Sequence, residues 1–150
     1  MSEEEYERLA EKVLAVCERY GIQCILHSFI NVAKRLDHPY IHLPMSLFLE
    51  LEEEEKAYFQ CIGVSTHTVK EAKLAEKLGA DYITASHIFP TECKPGIKPR
   101  GLDYLREVLR AVNIEVYALG GIHPDNASLC AAAGADGICM MSEYMKCQNI

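Results

Sequence analysis

Histidines, hydroxyls and glycines recur just after successive apolar runs of this chain. His27-Ser28 follows QCIL, Ser65-Thr66-His67 follows QCIGV, and His87 follows DYITAS. Gly120-Gly121 follows VYAL, and Met141-Ser142 follows ICM. Two kinds of chemistry suit such residues. An imidazole titrates near neutrality and moves protons in either direction, which makes His67 a candidate acid/base. The ordinary alternative for His67 is a satisfied histidine at a helix start. Paired glycines before a helix let backbone N–H groups approach an anion, with the positive end of the helix dipole behind them. Gly120 and Gly121, with a helix starting near Pro124, fit a phosphate site. A tight turn is the plain alternative, and the matching Met141-Ser142 segment favours phosphate.

The stretch HIFPTECKPGIKPRG, residues 87–101, adds three prolines and the cations Lys94, Lys98 and Arg100 to a chain of formal net charge −7. Prolines restrict where a side chain can reach. A lysine on such a loop can neutralise a phosphate or carboxylate and shield it from water. Lys94 is the candidate; Lys98 and Arg100 read as solvated cations. Cys93 has no assigned base and is not read as a nucleophile. Ser65, Thr91 and His27 join the list as candidate substrate contacts. His42 reads as packed, His38 as loop, and His123 as a residue at a helix start within reach of phosphate.

The elements that position these residues alternate. AEKLGADYIT (75–84) and AAAGADGICM (131–140) rhyme, each reading as a helix end, a glycine, Ala-Asp and a buried strand. Gly21, Gly79 and Gly134 fit the left-handed position after a helix. Strands are expected at 23–28, 39–43, 59–65, 81–86, 115–121 and 136–142. The clearest helices are expected at 3–20, 68–78, 102–112 and 124–133, with Thr68, Asp103 and Pro124 near their starts. Six strands and six helices at this spacing predict a parallel α/β sheet in one domain over 1–150. A doubly wound sheet and a barrel both satisfy the pattern, because a full (β/α)8 barrel normally exceeds about 200 residues.

Composition narrows the class further. No basic run dominates, which argues against nucleic acid. No apolar stretch approaches the roughly 20 residues that span a bilayer. MSEEEYERLAEK is neither a signal nor a transit peptide, and it reads as a natural start or a truncation. The seven cysteines, at 17, 24, 61, 93, 130, 139 and 147, include no C-x-x-C pair. They read as reduced thiols of a cytoplasmic protein.

GVSTHTVKEAKLAEKLGADYI, HIFPTECKPGIKPRGL, YALGGIHPDN and GADGICMMS, in that order, resemble the thiamine phosphate synthase/TenI superfamily over about residues 10–145. The resemblance implies a TIM barrel that binds thiazole phosphate at Gly121, Met141 and Ser142. It also implies that this chain is shortened, beginning at the helix after the second barrel strand. The expected fold is therefore an incomplete barrel of six parallel strands.

True synthases of the superfamily hold Mg²⁺ and pyrophosphate with an Asn-Asp pair after the strand matching QCILHS, and with a later Asp. Here the pair is His27-Ser28, and HLPMSL offers no carboxylate until Glu50. Hard Mg²⁺ favours carboxylate oxygens. The loop TECKPG and HLP lean toward the TenI branch, which includes thiazole tautomerases that need no metal and use the histidine matching His67. The expected function is thus a TenI-type protein binding thiazole phosphate, as a tautomerase without cofactor. The alternatives are a Mg²⁺-dependent thiamine phosphate synthase or a non-catalytic phosphate-binding remnant. Exposed strand edges in a shortened barrel would be an aggregation liability, so a homodimer or higher oligomer is expected.

Overall fold

The structure is a computed structural model that describes residues 1–146. Cys147, counted above among the reduced thiols, lies outside them. In chain order the elements are α1 (Glu3–Tyr20), β1 (Leu26–His27), α2 (Ile30–Arg35), β2 (Tyr40–Pro44), α3 (Met45–Glu50), α4 (Glu53–Lys56) and β3 (Cys61–Thr66). There follow α5 (Val69–Lys77), β4 (Tyr82–Ser86), α6 (Gly101–Ala111), β5 (Glu115–Leu119), α7 (Pro124–Ala133), β6 (Gly137–Cys139) and α8 (Ser142–Lys146). The six strands run in sequence order, β1 to β6. Six parallel strands alternating with helices make this an incomplete (β/α) barrel, as the sequence led us to expect. The described residues contain eight helices rather than the expected six. The backbone divides into two compact units, residues 1–63 and the described residues from 64 onward, with the division inside β3.

In the first unit, α1 spans the residues that its sequence signals mark out. Ser2 accepts a hydrogen bond from the Glu5 N–H and Glu5 reaches back to the Ser2 N–H, a reciprocal cap. Glu3, Glu4 and Glu5 sit at the positive dipole end, and Gly21 closes the helix at φ 64°. Arg35 of α2 ties this helix down by reaching Glu3 and Glu7 at 3.3 and 2.7 Å. Val32, Ala33, Ile41, Leu43 and Phe48 are fully buried. Full burial of each larger apolar side chain contributes roughly 1.5–3 kcal/mol. β1 is only two residues long, against the expected 23–28. Gln23, Cys24 and Ile25 precede it without joining the ladder, and only Leu26 and His27 pair with Ile41 and His42 of β2.

The second unit repeats one local device. After α7, Gly134 turns at φ 103° and the Ala135 N–H bonds back to Cys130 O at 3.1 Å. Asp136 then accepts from the Val116 N–H at 2.8 Å, which fastens the incoming strand to β5. Gly79 (φ 89°) and Ala80, bonded to Ala75 O at 3.0 Å, do the same after α5. This is the physical content of the repeated Gly-Ala-Asp. Between these turns Ile83, Ala85, Leu105, Val108, Ala118 and Cys130 form a fully buried core.

Candidate functional site

The parallel register of β4, β5 and β6 decides where the loops of the second unit emerge. Ser86 is opposite Leu119, and Leu119 is opposite Cys139. The segments beginning at His87, Gly120 and Met140 therefore leave the strands side by side at their carboxyl ends. This is the end at which parallel α/β folds bind ligands. His123, at the N-cap of α7, meets Glu143 of α8 with Nδ1 3.0 Å from Oε1. That contact ties the loop after β5 to the segment after β6. Met141 and Ser142 are exposed, and Ser142 is the first residue of α8.

The glycine pair has a reason in the protein itself. Gly120 and Gly121 adopt φ 98° and 66°, which only glycine takes up without strain. A Cβ on Gly120 would press on His87, and one on Gly121 would lie 2.6 Å from Phe89 O. The backbone of 87–90 fills that space, so the close approach expected for a ligand is made by the preceding loop. The Ile88 N–H donates to Leu119 O and the Phe89 N–H to Gly120 O, at 3.1 and 3.0 Å. Asn126 takes a further share. Its Oδ1 accepts from the His123 N–H at 2.8 Å and its Nδ2 donates to Gly121 O at 2.9 Å. One N–H of the α7 start is thereby occupied.

His67 follows β3 directly and is half-buried. Its backbone N–H donates to Glu71 Oε2 at 2.6 Å, and Thr68 Oγ1 accepts from the Glu71 N–H at 3.1 Å. This cap fixes the start of α5. Its Nδ1 lies 3.0 Å from Ser86 Oγ and 3.2 Å from Ser86 O. Ser86 therefore sets the ring orientation, and no described residue hydrogen-bonds Nε2. The Thr66 hydroxyl beside it points the other way and donates to Thr84 O at 3.1 Å. Ser65 is half-buried on the same strand.

The cationic loop is pinned at its ends. The Arg100 N–H donates to His87 O and the Gly101 N–H to Ile88 O, at 3.0 and 3.1 Å. His87 is buried, with Nε2 3.2 Å from Ile97 O. Thr91 opens a turn, with its carbonyl accepting from the Lys94 N–H at 3.2 Å and its hydroxyl from the Cys93 N–H at 3.3 Å. Lys94 is half-buried and Lys98 is exposed, and neither forms an ion pair with a described residue. Arg100 lies over the Tyr104 ring, 5.3 Å from its centroid. Burial pushes the Tyr104 hydroxyl up to about 12, against the opposing pull of Arg100.

His27 belongs to the first unit, away in sequence from this constellation. Its N–H donates to the Tyr6 hydroxyl at 2.8 Å, its Nδ1 is 2.6 Å from Ser28 Oγ, and its ring stacks on His42 at 5.5 Å. Burial, and secondly the neighbouring His27, holds His42 down at about 4. Burial also lowers His27. Ser28 sits at φ 66°, in the left-handed region where Asn and Asp are the commoner non-glycine residues. An imidazole and a hydroxyl are a poor donor set for Mg²⁺. Among the described residues no group of three or more His, Cys, Asp or Glu could hold a metal ion. Mg²⁺ does not fit these residues.

Sequence reading passed over Ser86, Glu71, Asn126 and Glu143. Two of them had a signal. Thr68-x-x-Glu71 spells a helix cap, and Asn126 stands three residues after His123. Ser86 and Glu143 act through contacts that only the strand register creates.

A family model described as thiamine monophosphate synthase matches residues 1–144. The chain is 34% identical to a thiamine-phosphate synthase of Bacillus thuringiensis, covering 89% of this chain and 62% of that one. It is 35% identical to a thiamine-phosphate synthase of Caldivirga maquilingensis, covering 93% of this chain and 68% of that one. The solved structure of a thiamine phosphate pyrophosphorylase from Pyrococcus furiosus superposes with a TM-score of 0.84 at 29% identity, over 99% of this chain and 71% of that one. The chain thus spans about two thirds of the length of these relatives. Among the described residues no helix is long and apolar enough to cross a membrane.

Two outcomes are expected. Gly121→Ala places a methyl against the 87–90 backbone in a left-handed conformation and should cost on the order of 1–3 kcal/mol. Gly79→Ala, equally left-handed at φ +89° but with nothing within 4 Å, should cost less. Thermal melts of the two variants make the comparison, and equal losses would mean that the loop does not press on the turn. The second outcome concerns pH. The unfolded chain protonates His42 near its ordinary 6.5 while the folded chain resists until about 4. Stability is fully present above that window and falls with acidification through it, by at most roughly 1.4 kcal/mol per pH unit. Urea midpoints at pH 7 and pH 4.5 measure the fall, and His42→Gln should flatten it.

Proposed function

The chain belongs to the thiamine monophosphate synthase family, and from that premise we propose that it binds thiazole phosphate at the carboxyl ends of β5 and β6. The observation that carries this reading is the register of Leu119 against Cys139, with the His123–Glu143 contact joining the two loops. Backbone N–H groups of Gly121, Met141 and Ser142 supply the donors for the phosphoryl oxygens. Such a cradle needs little side-chain charge, which suits an acidic chain. Glu143 is the unfavourable neighbour for an anion, and its pairing with His123 offsets that. Lys94 and Thr91, on the loop that begins against Gly120 and Gly121, bring a cation and a hydroxyl to the ligand from the other side.

The reaction favoured by the names of the relatives is formation of thiamine phosphate, a transferase activity in which pyrophosphate is the second ligand. A second reading rests on His67. With Nδ1 committed to Ser86 and Nε2 without a described partner, the ring is set up to take a proton and return it. This is the acid/base step of a thiazole tautomerase. The donor set at His27 and Ser28 supports this second reading, because it does not suit the metal that the transferase uses.

One experiment separates the readings. Thiazole phosphate should raise the Tm of the full chain, and absence of any rise would remove the phosphate site. A further gain with pyrophosphate that appears only with Mg²⁺ supports the transferase. Proton exchange into the thiazole without metal supports the tautomerase. His67→Ala should abolish that exchange, with a loss of at least about 100-fold, and leave thiazole phosphate affinity nearly unchanged. Loss of exchange and affinity together would make His67 structural.

A further inference from the structure

A second cluster lies in the first unit, apart from everything used above. A cavity of about 510 Å³ is lined by Leu14, Cys17, Ile22, Cys24, Leu36 and His38, with Glu11 and Glu18 among its remaining walls. Both cysteines are free, half-buried thiols. The chain reversal after α1 brings them together. Gly21 turns at φ 64°, the Gly21 N–H donates to Glu18 O at 3.1 Å and the Ile22 N–H to Cys17 O at 2.8 Å. His38 holds the other side, with Nε2 2.9 Å from Cys24 O. Cys17 and Cys24 line this same cavity. Two free thiols lining one cavity, seven residues apart and with both backbones hydrogen-bonded, are an arrangement that buried apolar packing alone does not require.

We propose that Cys17 and Cys24 form a redox-reactive dithiol, a modification site at which a peroxide closes a disulfide between the end of α1 and the segment leading into β1. The chemistry balances with hydrogen peroxide as oxidant. The Cys17 thiolate attacks one peroxide oxygen, the O–O bond breaks, and hydroxide leaves to become water. The Cys24 sulfur then attacks the Cys17 sulfenic acid, the S–O bond breaks, and the Cys24 proton leaves with the hydroxyl as a second water. Two thiols are oxidised by two electrons and one peroxide is reduced to two waters. Burial and the adjacent Cys17 push the Cys24 thiol up to about 11. Cys24 is therefore the resolving sulfur and Cys17 the one that attacks the peroxide.

The experiment uses the full chain, stepwise hydrogen peroxide, a quench with N-ethylmaleimide, tryptic digestion and mass spectrometry. Cleavage after Lys12, Arg19 and Lys34 puts Cys17 and Cys24 on separate peptides, 13–19 and 20–34. The expected result is a cross-link between these two peptides, less two hydrogens, with matching loss of maleimide on both and full reversal by dithiothreitol. Exposed Cys93 serves as the measure of general oxidation. Phenylarsine oxide, which joins two neighbouring thiols through one arsenic, should bind the reduced chain in equal proportion. Cys17→Ser or Cys24→Ser should abolish both signals, and circular dichroism checks that each variant folds. The proposal is overturned if Cys17 and Cys24 stay fully alkylated at peroxide doses that oxidise Cys93. A cross-link of either residue to another cysteine would overturn it as well. Neither result bears on phosphate binding in the second unit.

Discussion

Parallel pairing of β4, β5 and β6 is the constraint on which the candidate site depends. Ser86, Leu119 and Cys139 stand in line, and a parallel ladder sends the chain out of all three at one end. What each strand carries next is then a neighbour of what the others carry. This is how His87 comes against Gly120, and Phe89 and Pro90 against Gly121. A shift of one residue in β5 would turn its side chains to the opposite face. It would also separate the Ile88 and Phe89 N–H groups from Leu119 O and Gly120 O. The glycines are thus first a packing requirement, and any ligand site is built on top of it.

The chemistry available at this end is of two kinds. Backbone N–H groups at the ends of β5 and β6 carry no titrating charge, and the His67 ring is oriented by Ser86. The first unit places His27 and Ser28, and no carboxylate, at the end of β1. His27 stacks on His42, and burial holds His42 down at about 4. An imidazole stack is a different physical object from a carboxylate site.

Much of this was legible in the sequence where local chemistry decides it. Ser2, Glu5 and Gly21 bracket α1, and Thr68 and Pro124 mark two helix starts at the residues where they occur. The Gly-Ala-Asp repeat gave the turns after α5 and α7. Short elements were less readable. α2 and α3 follow Phe29 and Pro44, which give them no side-chain cap, and six residues give too little periodicity to be seen. β1 shrinks to two residues because only Leu26 and His27 meet β2, a fact of pairing rather than of composition. At the site, His67 and the glycine pair stood out by type and position. Ser86 reads as an ordinary strand residue until the register sets it beside His67. Glu143 stays silent until β6 lies next to β5. Gly120 and Gly121 were noticed for a ligand, and their closest neighbour is the chain itself.

The most direct test of the central claim follows the backbone amides of the full chain by ¹⁵N NMR during titration with thiazole phosphate. If the ends of β5 and β6 form one phosphate cradle, the amides of Gly121, Met141 and Ser142 should move first and saturate together with a single dissociation constant. Shifts confined to other segments, or Gly121 and Ser142 responding with unrelated constants, would contradict it.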